Sequence, residues 1–252
     1  YGGGIGIESG IVTISNSTIT GNNAFGGGGI LVQAADVTLV DSTVSDNQST
    51  THGGGIITQA GATLTILRTS IRDNSSSPTG FGGGIYNLPQ AFVYAYESEL
   101  SDNDASVGGA IYTGGDAILT NTTISGNLAR SSGGGIYQYG QNGILTLNSV
   151  TIGNNVAGSF YGGLFSDINS SATMRNTIIA DNDAPNSPNC YAYTPINSAG
   201  SKPIGDPGDC SIVTSTGDIL DGNVAIDTLA DNGGPTRTQA LYDTSEAIDA
   251  GD

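Results

Sequence analysis

The chain has 252 residues, 40 of them Gly, and its six Lys and Arg face 23 Asp and Glu, a formal charge of −17. That balance argues against nucleic acid or an anionic membrane surface as a partner, because phosphate contacts need clustered Lys and Arg. No apolar stretch approaches the ~20 residues of a membrane helix, so direct insertion by this segment is not expected.

The first element sets the register. A four-residue mark, Gly-Gly-Gly-Ile, closes at Ile5 and returns at Ile30, Ile56, Ile85, Ile111 (as GGAI) and Ile136, with a reduced form, GGLF, at Leu164. A near-constant period of about 26 residues is the signature of a solenoid, in which each repeat is one supersecondary unit stacked on the next. Next in each unit comes a period-2 apolar pair: Val12 and Ile14, Val37 and Leu39, Leu64 and Ile66, Val93 and Ala95, Ala117 and Leu119, Leu145 and Leu147, Ala172 and Met174. Such alternation means a half-buried strand. A third run follows, apolar residue to Asn three positions on, ending at Asn22, Asn47, Asn74, Asn103, Asn127, Asn155 and Asn182. Three short strands fill ~26 residues and leave no room for a packed helix.

The expected fold is therefore all-β: a parallel β-helix of about seven three-strand coils over residues 1–183, right-handed by the general chirality of parallel crossovers. The Gly runs predict a corner where φ is positive or backbones approach closely. The Asn column predicts a second corner, with Asn in the left-handed conformation and its amide bonded to the Asn one coil away. Asn16, Asp41, Asn121 and Asn176, with Arg68, Glu97 and Ser149 in the same column, mark the turn between the second and third strands. Lengths vary between each Asn and the next glycine run, which predicts loops there, Ser75 to Phe81 and Ala129 to Ser132 among them. The chain opens in mid-repeat at Tyr1, so a coil or cap is expected upstream.

Residues 184–252 carry no repeat and predict an irregular segment covering the last coil. Its two cysteines, Cys190 and Cys210, read as one disulfide of an exported protein. Two reduced thiols or half a metal site are the alternatives, and His52 is the one further soft ligand. Asp206 and Asp209, beside Cys210, are the candidate ligands of a structural Ca²⁺; no other cofactor is expected. Tyr86, Tyr112, Tyr137 and Phe165 each follow the isoleucine position of the mark, so they point outward when it points inward. They form either a platform for a glycan or a stack that stiffens the solenoid. Arg68 and Arg72, near Glu97 and Glu99 of the next coil, read as a surface salt-bridge cluster, and His52 as a half-buried loop residue. Thr18, Thr20, Thr43 and Ser45 begin an outward Thr array that Arg72, Glu99 and Gly153 interrupt, so a flat ice-binding plane is not expected.

The repeat GGGIYxxG…LTLxNSTISGNxA resembles the right-handed parallel β-helix repeats of bacterial surface and secreted proteins, including polymorphic outer-membrane proteins with their GGAI signature. The tail, LADNGGPTRTQALYDTSEAIDAGD, resembles the C-terminal module of choice-of-anchor Q domain proteins. Those resemblances cover nearly the whole chain. They imply export and a cell-surface or extracellular scaffold or adhesin without catalysis, whose partner is a glycan or a protein on a host or neighbouring cell. A polysaccharide-active lyase or hydrolase, or a carbohydrate-binding module, is the competing expectation; such enzymes need carboxylates converging with a base on one face.

Overall fold

The computed structural model describes residues 2–140, 142–198, 212–213 and 224–250. Among these residues every regular element is a strand. The opening strands stack in parallel and in register, Ile5 on Ile30, then Ile56, Ile85, Ile111, Ile136 and Leu164. The middle strands do the same from Val12 to Ala172, and the closing strands from Ile19 to Ile179. Inward residues of all three columns join one continuous core. Its Ile and Leu side chains are almost wholly buried, each contributing about 1.5–3 kcal/mol. In the first two coils the opening and middle strands run together as Ile5–Ser15 and Ile30–Val40. From the third coil onward a turn separates them.

The corners behave as their chemistry demands, with one displacement. Gly27, Gly53, Gly82, Gly108 and Gly133 take φ between 61° and 68°, a region an L side chain enters only at a cost. Asn16, Asp41, Arg68, Glu97, Asn121, Ser149 and Asn176 all turn with φ of 47–54°. The ladder asparagines themselves do not. The left-handed residue stands one position earlier, at Gly21, Asp46, Asp73, Asp102, Gly126, Asn154 and Asp181. This frees each Asn to aim its amide along the rod. Asn22 Nδ2 donates to Asn47 Oδ1 at 2.9 Å, and the pattern continues at 2.8–3.0 Å through Asn74, Asn103, Asn127 and Asn155 to Asn182. Backbone N–H groups of the same residues donate to the same oxygens.

Three further departures have physical causes. A fourth column of short strands replaces part of the expected loops: Leu128–Ser132, which contains the predicted Ala129–Ser132 loop, pairs with Asp104–Val107 and Val156–Ala157. Equivalent segments of stacked coils pair wherever their backbones run level. The small residue two positions after each Asn lets them come close, and Ala105, Ala129, Ala157 and Ala184 are buried there. Second, Cys190 is not outside the repeats. It stacks on Leu164 and opens an eighth coil with Cys190–Ala192, followed by Ile196–Ser198 on the middle-strand column. Pro188-Asn189-Cys190 stands where Gly-Gly-Ile would be, so the mark is lost while the inward and outward alternation persists. Asn189 Oδ1 accepts from Asn182 at 3.1 Å and so closes the ladder. Third, the tail forms an antiparallel hairpin, Ile226–Ala230 with Thr238–Leu241. It lies against the outward face of the closing strands, along the flank of the rod.

Candidate functional site

One face of the rod carries most of the rings. Tyr86, Tyr112, Tyr137 and Phe165 pair coil on coil, and Tyr191 of the eighth coil extends the column. Parallel strands hold side chains of one column about 4.8 Å apart, close enough for neighbouring rings to touch, some stacked and some, such as Tyr86 and Tyr112 at 51°, tilted. Tyr112 and Tyr137 lie 5.3 Å apart at 5°, and Tyr137 and Phe165 4.5 Å apart at 36°. Phe81 and His52 continue the stack beside Tyr112 and Tyr86, while Tyr161 seats on Phe165. Mutual stacking, one of the two alternatives for these rings, is thus present. The inner rings make much of their contact with one another, and Phe165 among them is buried. Rings with open surface flank the stack: Tyr139 at 39 %, Phe160 at 44 % and Tyr193 at 57 % exposure. Tyr193 stands edge-on to Phe165 and Tyr191, at 83° and 87°.

Burial raises the Tyr112 phenol beyond the usual tyrosine range, with Tyr86 and Tyr137 adding to the effect. Burial also pushes Tyr137 up to about 12, assisted by the Asp167 carboxylate. An unfolded tyrosine ionises near 10, so between about pH 10 and 12 the folded chain holds a proton that the unfolded chain has released. Stability from this group is complete below pH 10 and falls as pH rises through 12. Ultraviolet titration is expected to show the phenolate of the stack appearing late, with unfolding accompanying that phase.

His52 accepts a hydrogen bond from the Phe81 N–H at 3.0 Å through Nδ1, and burial lowers its pKa. It is half-buried and serves the stack. The arginine cluster is real but its partners differ from those expected. Arg68 forks onto Asp41 of the preceding coil at 2.7 and 3.0 Å, a hydrogen bond that holds the Asp41 carboxyl below its usual range. Arg72 pairs with Asp73. Glu99, 1 % exposed, meets Arg237 of the tail, whose backbone N–H reaches Glu99 Oε2 at 3.2 Å and whose guanidinium reaches Oε1 and the Ser101 hydroxyl. Sequence spacing could not show that pair, because its members lie 138 residues apart; the break that Glu99 makes in the Thr array was the available signal. Arg68, Arg72, Glu99 and Arg237 line a cleft of about 490 Å³ between the closing strands and the hairpin tip. Gly153, another of the three breaks in the array, is a notch: a Cβ there would stand 2.4 Å from Ile226 Cδ1. Gly153→Val is therefore expected to lift Ile226 off the flank, read as faster amide exchange over 226–241 with the core of the rod unchanged.

Cys190 is fully buried, and no free cysteine occurs among the described residues. Cys210, Asp206 and Asp209 lie outside the described residues. Among the described residues no three His, Cys, Asp or Glu side chains gather to hold a metal.

Stacked parallel coils around one core, with corner glycines and an amide ladder, define the β-helix class. The chain belongs to the family described as the right handed beta helix region, which matches residues 1–128, and this gives the hand that sequence period alone did not. Residues 121–138 also match the Chlamydia polymorphic membrane protein repeat, a match consistent with an exported, surface protein. No curated protein and no solved structure matches the chain.

Proposed function

We propose that the chain is a non-catalytic scaffold of the cell surface or extracellular space, an adhesin of the choice-of-anchor Q type, and that the ring-bearing face is its binding surface. The observation that carries this reading is the aromatic column itself: rings from successive coils, held by register, line one side with three partly open rings beside them. Open rings and hydroxyls suit a hydroxyl-rich glycan, or a protein surface, lying lengthwise on a rod whose repeat is about 4.8 Å. A Cys190–Cys210 disulfide and a Ca²⁺ at Asp206 and Asp209 belong to the same proposal. Peptide mapping without reductant and melting with and without chelator test them.

The deciding experiment is a glycan and polysaccharide array with and without Ca²⁺, read for retention and for new reducing or unsaturated ends. Retention without products is expected. Tyr112→Ala and Tyr137→Ala should each weaken it about tenfold, the loss of one aromatic contact, with an unchanged circular dichroism spectrum. New products would replace the scaffold reading with a polysaccharide-active enzyme, whose chemistry would be sought at Arg68, Arg72 and Glu99.

A further inference from the structure

Beside the ring column runs a second outward column in which a carboxylate sits between two tyrosines. Gln138, Ser166 and Ala192 stack in register as the last residues of their opening strands, and Tyr139, Asp167 and Tyr193 follow them in three successive coils. The backbone ladder reaches these positions. The N–H groups of Tyr139, Asp167 and Tyr193 donate to the carbonyls of Thr113, Gln138 and Ser166 at 2.8, 3.1 and 3.0 Å. Gln138, Ser166 and Ala192 are buried, so by alternation the next residue of each coil faces out. Both tyrosines are exposed and Asp167 is half-buried. Two coil steps, about 9.6 Å, separate the tyrosine backbones, with Asp167 midway. The inner rings form the wall behind: Tyr139 lies 6.1 Å from Tyr112, and Tyr193 5.3 Å from Tyr191.

The carboxylate lacks a cation. Among the described residues no ion pair reaches Asp167, whereas Arg68, Arg72, Arg130 and Arg237 are each taken by a carboxylate elsewhere. Asp167 Oδ1 accepts the Ile168 N–H at 2.7 Å, and Oδ2 has only the Gly140 N–H at 3.4 Å. A carboxylate offers about four lone-pair sites, so Oδ2 keeps acceptor capacity on the side of the rings. Burial raises the Tyr112, Tyr137 and Tyr161 phenols, and the Asp167 charge adds to each shift. The carboxylate therefore lies within electrostatic reach of three rings of the stack. An aromatic face is the negative side of its ring and attracts a cation lying within about 6 Å of the centroid. Open rings on either side of a carboxylate therefore select positive charge, and a chain of formal charge −17 repels anions from the same face.

We propose that Tyr139, Asp167 and Tyr193 form a site for the ammonium group of an amino sugar, so that the glycan taken by the ring-bearing face carries free amines. This rests on the reading of that face as the binding surface and specifies what the face selects. A hexosamine presents two things at once: a flat C–H face that an open tyrosine ring covers, and a protonated amine for Asp167 Oδ2. A lysine side chain presents the second alone. An N-acetylated sugar presents the first alone and would cover the carboxylate without giving it a partner, which costs free energy.

Two short glucosamine oligomers of equal length, one with free amines and one fully N-acetylated, separate these cases. Calorimetry against the whole chain, at a mildly acidic pH that keeps the amines protonated, is expected to show the free-amine oligomer binding about tenfold tighter. Asp167→Asn keeps an oxygen for the Ile168 N–H and should abolish that preference. Asp231→Asn, in the turn of the tail hairpin, removes the same unit of charge and should leave the preference intact, which distinguishes a site from attraction to an acidic surface. Tyr193→Phe should keep the preference and Tyr193→Leu reduce it, because the ring face and not the hydroxyl meets the cation. Thermal melting shows that each variant is folded. Equal affinity for the two oligomers would overturn the proposal and leave the glycan reading of the face standing, as would binding of neither while an array retains neutral glycans. No retention of any glycan would overturn both. A preference that survives Asp167→Asn, or falls equally in Asp231→Asn, would also overturn it. A lysine peptide bound more tightly than the free-amine oligomer, and released by Asp167→Asn, would put the cation on a protein and overturn the amino sugar as occupant.

Discussion

Asn127→Ala is expected to destabilise the rod by about 4 kcal/mol. Asn127 Oδ1 accepts both the backbone and the side-chain N–H of Asn103, and its own amide donates to Asn155, Leu100 and Ser125. The side-chain amides of Asn103, Asn127 and Asn155 have no access to water. Truncation orphans two buried donors of Asn103 at about 1–3 kcal/mol each and leaves a void beside them. Asn22, half-exposed at the ladder's first rung, donates to Asn47 but has the least to lose, and Asn22→Ala should cost about 1 kcal/mol. Denaturant unfolding measures both, and amide exchange shows whether the coils on either side of Asn127 open together. Equal effects for the two variants would mean that the ladder adds little beyond the packing around it.

Gly134→Ala is expected to cost about 3 kcal/mol or to prevent the chain from accumulating folded. Its φ is not left-handed, so the objection is one of space alone. A Cβ there would lie 2.4 Å from the Gly162 carbonyl oxygen and 2.6 Å from that of Val156. Both are backbone atoms of the next coil, fixed by the ladders on either side, and overpacking of this kind cannot relax by turning a side chain. The control is Gly6→Ala, where the nearest atom is 3.9 Å away; loss of unfolded-state freedom should leave that variant unchanged or about 0.5 kcal/mol more stable. Comparable losses in both would show that glycine's backbone freedom, and not coil contact, sets the requirement.

The fold was legible because stacking repeats a one-dimensional pattern. Ile5 through Leu164 occupy equivalent places, so the period alone aligns the coils and assigns inward and outward faces. Tyr86, Tyr112, Tyr137 and Phe165 could be placed side by side for the same reason. What escaped was whatever does not follow the period. The fourth strand column lacks alternating apolar residues, its one constant being the small residue after Asn, as at Ala105 and Ala129. Cys190 keeps the alternation but not the glycines. The Glu99–Arg237 pair is a single long-range contact, and no local pattern encodes a distance of 138 residues. Asp41, Arg68 and Glu97 all stand at the same left-handed corner of successive coils, so the column alone did not tell which carboxylate Arg68 takes; it forks onto Asp41.

The amide ladder also gives the rod an electrical direction. Each Asn Nδ2 points to the Oδ1 of the following coil, from Asn22 to Asn182 and then Asn189, so the dipoles add head to tail and do not cancel. An amide unit carries about 3.5 D, and aligned hydrogen-bonded amides polarise one another further. The acceptor pole lies at Asn22 and the donor pole at Asn189. A coil stacked ahead of Asn22 would have to present a hydrogen-bond donor in that column, and a coil set beyond Asn189 an acceptor. The two ends of the rod are therefore chemically unlike, and it can be extended in only one orientation.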